Sequence, residues 1–214
     1  MKKSIAVFCG SHFSNNPIYA DAAHEMGRLL AKRGYRLVYG GSSWGYMGVV
    51  AKACLEAGGE VTAVIPTIFS QEVIDSQPVT ELVKVVSMAE RKHQLALRSD
   101  AFIALCGGAG TLDEVTDMMT LNQLSLAGGM STSREEETFG NEAYRRERPM
   151  KMKPIGMLNT NGFFDPFLLQ LKRMTDEGLL SPSHHDAVVA SSSPEELLEL
   201  IEDFISQQEE MLNQ

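Results

Sequence analysis

The sequence predicts an α/β fold, a single Rossmann-like domain over residues 1–214 built on one doubly wound parallel sheet. Three observations carry that expectation. The chain opens β-α-β-α-β, closing that run with a strand at Val61–Ile65, the order that argues a parallel sheet with right-handed crossovers. Its strands are short apolar runs; Ala101–Leu105 has no polar interruption, as in a strand buried on both faces. That run is followed at once by Gly107, Gly108 and Gly110 and by a helical segment from Thr111. Strand, glycine turn and helix together aim backbone N–H groups and a helix N-terminus at an anion.

Taken in order, Ser4–Cys9 is the first strand and Gly10–Asn16 a polar turn. Pro17 suits a first helical position, and Ile18, Ala22, Met26, Leu29 and Leu30 recur at helical spacing, so Pro17–Arg33 reads as an amphipathic helix stopped by Gly34. Leu37–Tyr39 is the second strand. A loop rich in glycine and serine, Gly40–Gly45, leads to a helix carrying Met47, Val50, Ala51, Cys54 and Leu55, and Gly58-Gly59 ends it. After Val61–Ile65 and the less regular Pro66–Thr80, Leu82–Val86 is a short strand, and Ser87-x-x-Glu90 opens a helix to about Arg98. The helix from Thr111 runs to roughly Leu126. Lys153–Leu158 is a strand, Phe163–Glu177 a helix and Ala187–Ala190 a last strand; Ser193-Pro194-Glu195-Glu196 starts the final helix with a cap, a first-turn proline and acidic residues. Residues 128–152, with Glu135–Glu137, then Arg145, Arg146 and Arg148, and little apolar content, read as a flexible insertion.

At 43% hydrophobic and 22% charged, the 214 residues suit one domain with a sizeable core. A net charge of −9 argues against a nucleic-acid backbone or an anionic membrane as partner. The apolar run after Lys2 and Lys3 is too short for a signal peptide, and no stretch is long enough to span a bilayer. Three cysteines, Cys9, Cys54 and Cys106, show no metal spacing and leave one unpaired, which favours a reducing cytoplasm.

In such a sheet the crossover helices begin at the carboxyl ends of the strands, where ligands bind. Cys9–Asn16, Gly40–Gly48, Ser87–Lys92 and Cys106–Glu114 should therefore share one edge. Arg91 and Lys92 stand near the start of a helix, where the dipole disfavours cations, so their placement points to an anion. Asp113, Glu114 and Asp117 suit the helix dipole but repel a phosphate. Either they only cap the helix, with Thr111-x-x-Glu114 as a capping box, or one of them meets another part of a phosphorylated ligand. Cations for a phosphate and one carboxylate beyond them suit cleavage of an N-glycosidic bond in a nucleoside monophosphate, whose C1′ becomes cationic as the base leaves. Glu114 would stabilise that charge, grip the ribose hydroxyls or activate water; Arg91 would hold phosphate or assist the leaving base.

The ordered set of G-G-x-G-T-x-x-E at Gly107–Glu114, VFCGS at Val7–Ser11, VYGG at Val38–Gly41, GYMG at Gly45–Gly48, EAGGEV at Glu56–Val61, ERK at Glu90–Lys92, GMLN at Gly156–Asn159 and DEGLLSP at Asp176–Pro182 resembles the Lonely Guy family, the cytokinin-activating 5′-monophosphate phosphoribohydrolases. The resemblance covers nearly the whole chain except the insertion. It implies Arg91 and Glu114 as catalytic residues. It implies substrate contacts from Lys92, from Gly107, Gly108, Ala109, Gly110, Thr111, Leu112 and Asp113, from Thr120, and from Glu72 in SQEVI. It implies no cofactor, and a homo-oligomer, with a dimer favoured. Cys106 stands where a proline usually precedes the two glycines, Ala89 where a histidine is common, and Ser42 where a third glycine is usual; these departures bear on substrate preference and loop rigidity more than on the reaction.

Other residues read as structural. His184-His185 fits a solvated turn better than a metal site, and His12 a loop histidine. Trp44 and Tyr46 pack a loop or flank a base, and Met26, Met47, Met118 and Met119 belong to core or oligomer interface. The function expected is hydrolysis of an adenine or N6-modified adenine riboside 5′-monophosphate to free base and ribose 5-phosphate. The alternatives are a carrier resembling molybdenum-cofactor carriers, and a decarboxylase with pyridoxal phosphate on Lys92.

Overall fold

The computed structural model describes residues 2–69, 79–127 and 152–212. Seven strands form one sheet: β1 (Ser4–Phe8), β2 (Arg36–Tyr39), β3 (Glu60–Pro66), β4 (Glu81–Val85), β5 (Ala101–Ala104), β6 (Ile155–Leu158) and β7 (Val188–Ser191). Their spatial order is β4-β3-β2-β1-β5-β6-β7, and every pairing is parallel. The chain winds outward from β1 to β4, then returns to the other side of β1 with β5. The order therefore reverses between β1 and β5, the switch point at which open sheets of this class bind ligands.

Alternation along the strands divides the core in two. Ile5 and Val7 face a cluster with Met26 and Leu30 of α1 (Ile18–Lys32), Val50 and Cys54 of α2 (Gly45–Glu56), and Leu197 and Ile201 of α7 (Pro194–Leu212). Ala6 and Phe8 face the other way, onto Leu95 of α3 (Met88–Leu97), Val115 and Met118 of α4 (Ala109–Ala127), and Phe164, just before α5 (Asp165–Asp176). Met26 and Met118 are core residues; Met47 and Met119 pack partly buried against it. Gly27 is required where α1 meets α2: a Cβ there would overlap Val50 O and lie 3.1 Å from its carbonyl carbon.

Two caps form as the sequence predicts. Ser87 Oγ accepts from Glu90 N at 3.1 Å while Glu90 accepts from Val86 N, and Ser193 Oγ accepts from Glu196 N at 3.3 Å. Three expectations need correction. Pro17 is the N-cap of α1, one residue before the helix. The segment read as a solvated turn is a short helix, α6 (Pro182–Asp186), with Ser181 accepting from His184 N; serine followed by proline is the local signal for it. The third is the start of α4, at Ala109 rather than Thr111. The Gly108 carbonyl accepts from Thr111 N (3.1 Å) and Leu112 N (3.3 Å), so the first turn closes two residues early. Thr111 thus lies inside the helix, and the Thr111–Glu114 capping box does not form. The insertion, save Met152, and Glu72 lie outside the described residues.

Candidate active site

The turns after β1 and β5 are joined by their backbones, Gly10 N donating to Cys106 O at 3.0 Å. Tyr46, at the start of α2, fixes the loop after β1 from behind. Its N–H donates to Gly10 O at 3.0 Å, and its hydroxyl accepts from Ser14 N at 2.8 Å. Between these turns lies a cleft of about 530 Å³. Its floor is the glycine turn, from Gly107 to Thr111; its inner wall holds Arg91 and Glu114; its outer wall is Ser11, His12 and Phe13 of the first loop, with Tyr19 and Phe163 at the rim.

The three glycines of the turn are not equivalent. A Cβ on Gly107 would overlap Thr111 Oγ1 and lie 2.8 Å from Gly10 N, so the junction of the two turns itself demands glycine there. A Cβ on Gly108 or Gly110 would meet nothing within 4 Å. At those two positions a side chain would project into space left open beside the first N–H groups of α4, the place where an oxygen-rich anion is held at a helix N-terminus.

Arg91 and Glu114 are both only 8% exposed. Arg91 Nη1 donates to Glu114 Oε1 at 2.7 Å, joining α3 to α4 across the back of the cleft. Burial holds the Glu114 carboxyl above the usual glutamate range, opposed by the Arg91 charge and hydrogen bond, which favour ionisation. The carboxylate thus stands buried at the wall of an open cleft, beside a fixed cation. Cys9 and Cys106 also line the cleft. Burial, then the Glu114 charge, pushes the Cys9 thiol well up; burial pushes Cys106 up to about 11. Both are therefore neutral thiols rather than nucleophiles near pH 7.

Of the residues singled out from sequence, the cleft brings together Arg91, Glu114, Gly107, Gly108, Ala109, Gly110, Thr111 and Asp113. Lys92, Leu112 and Thr120 do not line it. Lys92 Nζ lies 3.3 Å from Asp113 and 3.6 Å from Asp117, and Thr120 Oγ1 donates to Thr116 O. Trp44 is 77% exposed and away from the cleft, whereas Tyr46 lines it from a buried position. Phe13 and Met88 line the cleft from segments the sequence placed at this edge, and Met47, read as core or interface, lines it too; sequence reasoning missed Tyr19 and Phe163. Phe163 follows β6, the neighbour of β5, so the loop after β6 reaches the same edge; treating every βα loop beside the switch point as part of the site would have found it. Among the described residues, no group of three or more His, Cys, Asp or Glu side chains is arranged to hold a metal ion.

A family described as "possible lysine decarboxylase" matches residues 47–201. Curated relatives align over nearly the whole chain. A probable cytokinin riboside 5′-monophosphate phosphoribohydrolase of Oryza sativa subsp. japonica is 35% identical over 99% of this chain and 77% of its own. A cytokinin riboside 5′-monophosphate phosphoribohydrolase of Arabidopsis thaliana is 35% identical over 98% of this chain and 87% of its own. Among solved structures, the molybdenum cofactor binding protein of Rippkaea orientalis superposes with a TM-score of 0.64 at 22% identity, covering 96% of this chain and 98% of that one. The molybdenum cofactor carrier protein of Chlamydomonas reinhardtii gives 0.62 at 21%, over 96% and 99%. At that identity the structural likeness speaks for the fold alone.

Proposed function

Since the chain belongs to the Lonely Guy family of phosphoribohydrolases, we propose that it hydrolyses the N-glycosidic bond of a purine riboside 5′-monophosphate, the base being adenine or an N6-modified adenine, to free base and ribose 5-phosphate. The observation that carries this reading is the buried Arg91–Glu114 pair facing an open glycine turn across one cleft. The 5′-phosphate is held by the N–H groups at the start of α4. The ribose then lies toward Glu114, whose ionised carboxylate stabilises the positive charge that grows at C1′ as the bond to the base breaks. Water adds to C1′, and the base leaves with a proton. Arg91 keeps the carboxylate ionised and oriented. Lys92 and Asp117 act on the site through Asp113, and Thr120 and Glu72 are assigned no step.

The decarboxylation named in the family's description requires a lysine free to form a Schiff base. Lys92 is engaged by two aspartates, and among the described residues no lysine lines the cleft. A carrier would need no buried carboxylate–guanidinium pair beside its ligand, so the pair favours the enzyme. The three described cysteines are free and buried, which suits a cytoplasmic setting, and exposed apolar side chains such as Val86 and Leu124 suit a homo-oligomer, a dimer in the simplest case.

The test is a panel of nucleosides and nucleoside 5′-monophosphates with released base measured by chromatography. AMP or its N6-modified forms should be cleaved much faster than the matching nucleosides, because binding energy at a remote phosphate can be used to raise turnover. Equal rates with and without the phosphate would refute the assignment of the glycine turn.

A further inference from the structure

Gly40 follows β2 and begins the loop to α2; it stands in the VYGG stretch at Val38–Gly41, but the site described above assigns it no role. It is half-buried and its φ is not positive, so its backbone does not call for glycine. What calls for glycine is the space beside it. A Cβ on Gly40 would overlap Arg91 Nη2 outright, lie 2.9 Å from Cζ and 3.3 Å from Nε. All three nearest atoms belong to one guanidinium, the same one whose Nη1 holds Glu114 Oε1.

We infer that Gly40 is a positioning residue for the reaction: its missing side chain leaves the space that the Nη2 end of the Arg91 guanidinium occupies beside the end of β2, and so fixes Arg91 against Glu114. Resting on the phosphoribohydrolase reading, this deepens it by naming what sets the geometry of the catalytic pair. The slot is built from two distant stretches. Arg91 rises from α3, which connects β4 at the sheet's edge to β5 and packs against β3 and against α4, whereas Gly40 follows β2. The Nη2 end of that guanidinium points at the position a Cβ on Gly40 would take, so only a residue without one leaves the planar group in line with Glu114. If a Cβ is added, the softest element gives way. That is the end of the Arg91 side chain, not the β2 backbone held in its parallel ladder by β1 and β3. Gly40→Ala therefore leaves the sheet intact and moves the guanidinium off Glu114. A displacement of about 1 Å in a catalytic group lowers turnover on the order of 10²-fold.

The experiment is a double-mutant cycle of Gly40→Ala and Arg91→Lys in the full chain, reading release of base from AMP. Lysine has no atom at the Nη2 position. Gly40→Ala should lower kcat by about 10–10²-fold in the wild-type background and by less than about twofold on Arg91→Lys, since residues without contact do not couple. Full activity of Gly40→Ala, or an equal loss in both backgrounds, overturns the inference. A second readout needs no substrate: the NMR titration of the Glu114 side-chain carboxyl carbon. Gly40→Ala should raise its midpoint, because the carboxylate loses its cation, and should not raise it on Arg91→Ala. An unmoved midpoint overturns the inference even where Arg91→Lys is too slow to assay. If Gly40→Ala folds poorly, thermal melting of Gly40→Ala/Arg91→Ala decides: the defect should vanish with the guanidinium, and a defect that persists refutes the slot. Should the wild-type chain release no base from AMP, it is the functional reading that fails, while the titration still judges the packing.

Discussion

Glu114→Gln separates the charge of this residue from its shape. In the folded protein Glu114 accepts one hydrogen bond, from Arg91 Nη1 at 2.7 Å, and is 8% exposed. Glutamine keeps an acceptor oxygen in the same place. The bond to Arg91 changes from ion–ion to ion–neutral, a loss of about 1 kcal/mol on the difference between the two kinds of hydrogen bond. Against this stands the burial that already holds the Glu114 carboxyl above its ordinary range; a neutral side chain no longer bears that desolvation. The two effects oppose each other, so the net change in stability should stay within about 1 kcal/mol, a shift of roughly 2–4 °C in Tm for a chain of this size. Turnover behaves differently, because only the carboxylate can stabilise the ribosyl cation or activate water. A loss of about 10²-fold or more is expected, equivalent to about 2.7 kcal/mol on the barrier. The assay is steady-state release of base from AMP beside a thermal melt of the same preparation. A Glu114→Gln protein that turns over AMP near the wild-type rate would remove Glu114 from the chemistry, whatever its Tm.

The raised Glu114 pKa has opposite consequences for activity and stability. The acid limb of the kcat profile should fall above the ordinary glutamate range, with activity lost as pH drops through it. The stability of wild type relative to Glu114→Gln should be greatest below the unfolded-state pKa and fade as pH rises through the folded one; a limb at or below an ordinary glutamate, or a relative stability that grows with pH, would contradict this. Gly27→Ala drives a Cβ into the Val50 carbonyl, a backbone atom that cannot swing away, and should cost about 1–3 kcal/mol by overpacking in urea unfolding without touching the cleft. Replacing residues 129–148 with a short polar linker should preserve most activity on AMP. The cleft lies at the N-terminal end of α4, and Asn122 near its other end donates to Lys153 O and accepts from Lys153 N, fixing the chain's return without those residues. Collapse of activity in a folded deletion protein would overturn it.

Much of the fold is written locally. Apolar runs of strand length, glycines at helix ends and serine caps at Ser87 and Ser193 are choices that neighbouring residues settle among themselves, so the order of elements and the edge that carries the site follow from sequence. The glycine turn and its two flanking ionic residues, Arg91 and Glu114, are legible in the same way. Which partner each side chain takes is not. Thr111-x-x-Glu114 has the spacing of a capping box, and only the arrival of Arg91 from a helix 23 residues earlier turns the carboxylate into a buried ion pair instead. Lys92 stands next to Arg91 in sequence, yet one helical step rotates it by about 100°, toward Asp113 and Asp117 and away from the cleft. Phe163 reaches the rim only because β6 pairs beside β5. Gly40 is an ordinary loop glycine until the Arg91 guanidinium is found against its Cα. Backbone periodicity reports which face of an element is buried, because that depends on spacing within it; the identity of the group across the gap depends on residues that the folded sheet alone brings together.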